Sequence, residues 1–119
     1  MIFVGTDIVP IIRIENLIKE KGKRFLNHVY TKLEQNVCNA KNTPFIHYSG
    51  KFAAKEAVKK ALLSSKLTKA IPLVSIEIQN DDDGAPLVHI PQDSIKYEQL
   101  QVSISHAGEY ATATAILEL

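Results

Sequence analysis

Residues 51–62 read Lys-Phe-Ala-Ala-Lys-Glu-Ala-Val-Lys-Lys-Ala-Leu. The run is rich in alanine, lacks glycine and proline, and has one β-branched residue, so it predicts an α-helix. At about 100° per residue, Glu56 falls on the same side of this helix as Phe52 and Leu63. Burying an ionised carboxylate is unfavourable unless a cation meets it. Lys60, one turn later, and a bound metal ion are the two candidate partners, and an exposed surface ion pair is the plainer alternative.

Around this helix, which is predicted to run from Pro44 to about Ser65, the chain divides into a helical first half and a strand-rich second half. The period changes to two after Pro72, where Val74, Ile76 and Ile78 alternate with polar residues. The predicted elements are a strand over Met1–Val9, a helix from Pro10 to about Gly22, a helical piece over Arg24–Tyr30, a capping box at Thr31–Glu34, a hairpin around 80–84, a short helix over Pro91–Leu100, and a second hairpin formed by 101–106 and 110–117.

This order predicts one α+β domain over residues 1–119, with an N-terminal strand and helices and one long central helix packed on a C-terminal antiparallel sheet. The 119 residues carry a net charge of +1, which argues against nucleic acid as a partner. No signal peptide or membrane span is visible, and the single Cys38 excludes an internal disulfide. We therefore expect a cytoplasmic protein.

Charge is unevenly distributed along the chain. Residues 1–60 sum to +6 and residues 61–119 to −5. This asymmetry suits an acidic partner that docks on the first half or head-to-tail contact between subunits. Neutralisation within one folded chain is the alternative.

Four motifs occur together in order: Gly5-Thr6-Asp7-Ile8, Phe52-Ala53-Ala54-Lys55-Glu56-Ala57 with Lys60, Gly84-Ala85-Pro86, and Val102-Ser103-Ile104-Ser105-His106. Over nearly the whole chain this set resembles the small homotrimeric holo-acyl-carrier-protein synthases of the 4′-phosphopantetheinyl transferases. The resemblance implies the 4′-phosphopantetheinyl transferase fold. It also implies Mg²⁺-dependent transfer of phosphopantetheine from coenzyme A to a serine of apo acyl carrier protein, for fatty acid biosynthesis, at sites between subunits of a trimer.

The resemblance also assigns roles to single residues. Asp7 and Glu56 match the carboxylates that hold Mg²⁺, and Lys60 matches a lysine near the pyrophosphate. These three are the candidate catalytic residues. Hard oxygen ligands of this kind suit Mg²⁺, which commonly binds one or two carboxylates together with substrate phosphates.

Further matches concern coenzyme A. The turn Gly84-Ala85-Pro86 matches the segment that cups the adenine, and His106 matches a histidine beside the phosphates. Ser103 is expected in the same pocket wall. Lys51 stands where the family has a phosphate-binding arginine.

The chain departs from the family at three places. Lys51 keeps the charge of the family's arginine but lacks its bidentate geometry. Ala85 replaces a common lysine, and Leu63-Ser64-Ser65 replaces a glycine-rich run, so we expect a reshaped pocket wall. A non-catalytic paralogue that binds coenzyme A or a carrier protein is therefore the alternative function.

Basic residues near the start of the chain complete the resemblance. Arg13, Lys21 and Arg24 lie at or beside basic family positions that engage the acidic carrier protein. A solvated basic helix face is the alternative interpretation of these three residues.

Overall fold

The computed structural model describes residues 1–91 and 95–119. A long strand opens the chain, helices follow, and two hairpins close it. The elements are β1 (Ile2–Pro10), α1 (Ile11–Lys21), α2 (Lys23–Val29), α3 (Lys32–Asn39), α4 (Pro44–Ser65), a 3₁₀ turn (Leu73–Ser75), β2 (Glu77–Asn80), β3 (Pro86–His89), β4 (Gln99–Ala107) and β5 (Tyr110–Glu118). This order confirms the α+β architecture predicted from the sequence.

Helix α4 packs on a three-stranded antiparallel sheet of order β1-β5-β4. Ala57 and Ala61 are fully buried in the helix, and a Cβ at Gly5 would lie 1.8 Å from the carbonyl oxygen of Ala57. Glycine at position 5 therefore lets the backbone of β1 approach the backbone of α4. Because alternate residues of a strand share a face, Asp7 points to the same side as Gly5, beside the helix.

Local signals fix the ends of the early helices. Gly22 caps α1 with a φ of 55°, a conformation that glycine adopts readily. At the start of α3 the predicted capping box is present: Thr31 Oγ1 accepts from the Glu34 backbone N–H, and Glu34 Oε1 accepts from the Thr31 backbone N–H at 2.8 Å.

The first hairpin begins later than predicted. Residues 73–75 form a 3₁₀ turn and the strand starts at Glu77, so the prediction of a strand from Val74 was wrong at its beginning. Lys55 Nζ donates to Leu73 O at 3.1 Å and to Ile76 O at 2.6 Å. Both carbonyls converge on one buried ammonium only because the chain turns here, and this contact overrides the local alternation.

The predicted helix over Pro91–Leu100 is wrong wherever the chain is described. Residues 95–97 belong to no regular element, and Gln99 and Leu100 open β4. Residues 92–94 lie outside the described residues. Within residues 1–91 and 95–119, no helix combines the length and apolar character needed to cross a membrane.

Candidate active site

Asp7 on β1 and Lys60 on α4 form an ion pair at the edge of the helix–sheet contact. Lys60 Nζ lies 3.1 Å from Asp7 Oδ1 and donates to Thr6 O at 2.9 Å. The side chains are 16% exposed for Asp7 and 51% exposed for Lys60, so a ligand in solvent can reach the pair. The structure therefore brings together two of the three residues predicted as catalytic.

Glu56 is half-buried and does not pair with Lys60, which bonds to Asp7 instead. The prediction that Glu56 is a buried carboxylate on an apolar face was therefore wrong in degree. The fully buried charge of α4 is its neighbour Lys55, which faces α3 and the first hairpin. Adjacent helix positions differ by about 100°, so Glu56 is turned from that buried face toward an edge of the helix.

Asp7 and Glu56 lie on the two elements, β1 and α4, that meet at the contact between Gly5 and Ala57. Glu56 immediately precedes Ala57, whose carbonyl faces Gly5, and Asp7 lies two residues after Gly5. Two carboxylates leave the remaining coordination positions to water and phosphate, an arrangement that Mg²⁺ accepts. In the described part of the chain, no cluster of three or more His, Cys, Asp or Glu forms an alternative metal site. The donor set at Asp7 and Glu56 fits Mg²⁺.

A cavity of about 560 Å³ opens between α3, α4, the first hairpin and β4. Four residues predicted to bind the nucleotide line it: Lys51, Gly84, Pro86 and His106. The other predicted positions, Asp7, Glu56, Lys60, Ala85 and Ser103, are not among its lining residues. Within one chain the predicted site is therefore divided between this cavity and the Asp7–Lys60 pair.

Sequence reasoning missed two basic residues of the cavity wall, Lys41 and His47. His47 lies four residues before Lys51, so both occupy one face of α4, and this spacing is the signal that could have found it. Burial lowers the pKa of His47, and the nearby charges of Lys41, His106 and Lys51 lower it further. Both effects favour the neutral imidazole over the charged one.

Lys51 points inward toward the first hairpin. It is 6% exposed, and its Nζ donates to Ile78 O at 2.9 Å and to Asn80 Oδ1 at 3.3 Å. Burial lowers the pKa of this lysine. Two of its three ammonium hydrogens are therefore bound within the protein. Lys51, which was predicted to bind a phosphate, also holds β2 against α4.

The turn at residues 81–86 is held by a compact set of hydrogen bonds. Asp81 Oδ1 accepts from the backbone N–H groups of Asp83 and Ala85, both at 2.9 Å. The Asp81 backbone N–H donates to Ala85 O, and Asn80 Nδ2 donates to Gly84 O at 3.0 Å. Gly84 has a φ of 89°, so the turn exposes its backbone without a side chain at that point.

On β4, His106 and Ser103 point to opposite sides of the sheet. Val102, Ile104 and His106 face α4 and the cavity, and Ile104 Cγ2 lies within 3.0 Å of where a Cβ on Gly50 would be. Ser103 and Ser105 are exposed on the outer face. The structure therefore places His106 with the cavity and Ser103 away from it within one chain.

The buried ion pair between Lys55 and Glu34, beside the larger cavity, was not predicted from the sequence. Lys55 Nζ lies 2.6 Å from Glu34 Oε1, and both side chains are fully buried. Glu34 Oε2 also accepts from the Ile78 backbone N–H at 2.8 Å. The capping box identified Glu34 as a cap but gave no indication of its partner 21 residues later, because the pairing depends on how α3 packs on α4.

A second cavity, of about 310 Å³, is lined by Lys21, Arg24, Phe25 and His28 at the junction of α1 and α2. This basic groove brings together two of the three residues predicted to bind the carrier protein, Lys21 and Arg24. Arg13 does not line the basic groove, and its guanidinium lies 5.9 Å from the ring centre of Phe52.

Residues 63–65, where we expected a reshaped pocket wall, lie away from the larger cavity. Leu63, Ser64 and Ser65 form the last turn of α4, and Lys66 caps it with a φ of 65°. None of them lines the larger cavity.

Comparison with known proteins places this geometry in a family. Residues 3–115 match the model of the 4′-phosphopantetheinyl transferase superfamily. A holo-[acyl-carrier-protein] synthase of Protochlamydia amoebophila is 44% identical over 116 residues, covering 95% of this chain and 94% of that protein. The synthase of Thermodesulfovibrio yellowstonii is 40% identical over 114 residues, covering 96% of both chains.

Solved structures are similar over the same length. The holo-[acyl-carrier-protein] synthase of Neisseria meningitidis superposes with a TM-score of 0.86 at 27% identity, covering all of both chains. The synthase of Bacillus anthracis, in complex with CoA (3′,5′-ADP), has a TM-score of 0.80 at 31% identity and covers 98% of this chain and 95% of that one.

Proposed function

This chain belongs to the 4′-phosphopantetheinyl transferase superfamily, and we propose that it transfers 4′-phosphopantetheine from coenzyme A to a serine of apo acyl carrier protein. The serine oxygen forms a bond to the phosphorus attached to pantetheine, and adenosine 3′,5′-bisphosphate leaves. The observation that carries this proposal is the near full-length identity to holo-[acyl-carrier-protein] synthases. The larger cavity, with its lysines, histidines and exposed glycine turn, supplies suitable chemistry for a nucleotide.

Mg²⁺ is the metal that we propose for Asp7 and Glu56. When bound there, it would neutralise negative charge on the phosphate oxygens. Lys60, which bonds to Asp7, would offset charge that develops on the leaving bisphosphate. In such a reaction the protein contributes mainly position and charge, which is typical of phosphoryl transfer.

We also propose that the active site is completed between subunits of a homotrimer. The outer face of the three-stranded sheet supports this, because Glu118 is the only charged side chain that its strands turn outward. Large apolar side chains on that face are exposed by 48–64%; they are Ile2, Val4, Ile8, Tyr110 and Ile116. An interface there would also explain why the predicted site residues form two groups in one chain. A stable monomer in light scattering would refute this part of the proposal.

The reaction is tested by incubating the protein with apo acyl carrier protein, coenzyme A and Mg²⁺, and following the carrier by intact mass spectrometry. We expect the carrier to gain one phosphopantetheine and expect EDTA to abolish the gain. Glu56→Gln should fold normally and lose transfer, whereas Glu98→Gln, an exposed carboxylate before β4, should keep it. Binding of coenzyme A without any transfer would favour the non-catalytic paralogue instead. The cytoplasmic location predicted from the sequence remains a prediction.

A further inference from the structure

The first hairpin depends on buried charged side chains of the helices for its position. Strands β2 and β3 form a separate two-stranded sheet, and an isolated hairpin of this size is marginally stable in water. On the edge of β2 that faces the helices, both backbone groups of Ile78 are bound: its N–H donates to Glu34 Oε2 and its carbonyl accepts from Lys51 Nζ. Both contacts are buried, so they fix this strand relative to α3 and α4.

From Lys51 the hydrogen bonds continue into the turn. Lys51 Nζ donates to Asn80 Oδ1 at 3.3 Å, and Asn80 Nδ2 donates to Gly84 O at 3.0 Å. Asn80 is also paired with Pro86 across the hairpin. One amide therefore connects a helix lysine to the carbonyl of the glycine that lines the larger cavity.

We propose that Lys51 and Asn80 are positioning residues that hold the turn at Gly84–Pro86 for the adenosine part of coenzyme A. This inference rests on the proposed function. Lys51 acts here through Ile78 and Asn80 rather than mainly as a ligand of the nucleotide's 3′-phosphate. The arrangement also accounts for a lysine at this position, since a flexible stem with a small ammonium can reach two acceptors on β2 from a buried place on α4.

Two ligands separate positioning from phosphate binding. Coenzyme A carries the 3′-phosphate, and dephospho-coenzyme A lacks it but keeps the adenosine and the pyrophosphate. Their affinities are measured by calorimetry for the wild-type protein, Lys51→Met, Asn80→Ala and the double variant, with Mg²⁺ present. Asn36→Ala, which removes an exposed amide from α3, is the matched control.

We expect Asn80→Ala to weaken the binding of both ligands by the same factor, about fivefold, because it removes one partly buried and one exposed hydrogen bond. Lys51→Met should weaken both by about tenfold or more, since its bond to Ile78 is buried. The double variant should be no weaker than Lys51→Met alone, because both residues act through the same turn. Asn80→Asp, which can accept from Lys51 but cannot donate to Gly84, should behave like Asn80→Ala.

Two results would overturn the inference. If Lys51→Met weakened coenzyme A but left dephospho-coenzyme A unchanged, Lys51 would be a phosphate ligand. If Asn80→Ala left both affinities unchanged, the connection to Gly84 would have no role; this exposed substitution keeps the test decisive even if Lys51→Met does not fold. Failure of the proposed function is a separate outcome, because the wild-type protein would then not modify the carrier or would not bind coenzyme A.

Discussion

Lys55 Nζ lies 2.6 Å from Glu34 Oε1, and neither side chain exposes any surface to solvent. The other two hydrogen bonds of the ammonium go to Leu73 O and Ile76 O, and the second carboxylate oxygen binds the Ile78 backbone N–H. In the described part of the chain, no buried side-chain nitrogen or oxygen lacks a partner. The pair therefore connects α3, α4 and the first hairpin through a fully satisfied polar group.

Lys55→Met should destabilise the fold strongly, because it leaves the Glu34 carboxylate buried without a cation. Removing one partner of a buried pair costs about 3–5 kcal/mol. Lys19→Met is the matched control, since Lys19 forms an exposed i,i+4 pair with Glu15 at 2.8 Å, and such pairs contribute only about 0.3–0.5 kcal/mol. Urea unfolding of both variants measures the difference. Equal midpoints for the two would contradict the importance of the buried pair.

The contact between Gly5 and Ala57 predicts a second, purely steric effect. In Gly5→Ala, the new Cβ would meet the Ala57 carbonyl oxygen at 1.8 Å, so β1 and α4 must separate. Overpacking of this kind costs about 1–3 kcal/mol and occasionally more. Because Asp7 and Lys60 lie on the two elements that move apart, the transfer rate should also fall. Thermal unfolding and the carrier assay measure the two consequences.

Gly22→Ala is the matched control for this substitution. Gly22 has a φ of 55°, and a Cβ there would have no neighbour within 4 Å. It should lose about 1–3 kcal/mol from backbone strain alone, with its kcat at saturating carrier protein unchanged. Full transfer by Gly5→Ala would show that the spacing of β1 and α4 does not matter for the reaction.

The sequence predicted the elements whose signals are local. Pro44 and the uninterrupted alanine-rich run gave both ends of α4, Thr31 and Glu34 gave the start of α3, and Gly22 gave the end of α1. Pairings between distant segments could not be predicted in this way. Which of Lys55 and Glu56 is the buried charge depends on which face of α4 packs on its neighbours. The 3₁₀ turn at Leu73 presents a carbonyl to Lys55, 18 residues earlier in the chain.

In the candidate site, too, the sequence supplied residues that belong to motifs but not those whose role depends on contacts between distant segments. Motif resemblance supplied Asp7 and Lys60, which the structure joins, and Gly84, Pro86 and His106, which it places around one cavity. It did not supply Asn80, which matters through its contacts with Lys51 and Gly84. It did not supply His47 either, which matters because it shares the cavity wall with Lys51. It also assigned Lys51 a ligand's role without indicating that its ammonium already binds β2.

Cys38 should be inert in the folded protein. It is fully buried on α3, and desolvation raises the pKa of its thiol from 9.0 to about 11. At pH 8 we expect no reaction with Ellman's reagent in buffer and one thiol per chain in guanidinium chloride, since the reactive form is the thiolate. Cys38→Ser should give no signal in either condition. Rapid labelling of the native protein would contradict this burial.

The same shift predicts an effect on stability at high pH. Because the folded-state pKa of Cys38 exceeds the unfolded value, the unfolded chain loses this proton first as the pH rises. Its contribution to stability is therefore fully present below about pH 9 and declines as the pH rises from 9 toward 11. Urea midpoints measured across this range should fall more steeply for the wild-type protein than for Cys38→Ser.

The basic groove at the junction of α1 and α2 predicts that carrier binding depends on salt. Arg24 is exposed and lines this groove together with Lys21 and Phe25. If an acidic carrier docks here, Arg24→Ala should raise the KM for the carrier about three- to tenfold at low salt, mainly through a slower encounter, with kcat little changed. At 0.5 M NaCl the difference from wild type should shrink, because the Debye length falls to a few ångströms, well below its value of about 10 Å at 0.1 M.

Lys96→Ala removes an exposed positive charge before β4 and should leave the KM unchanged at both salt concentrations. An Arg24→Ala effect that persisted undiminished at high salt would indicate a packing role for the arginine rather than electrostatic steering.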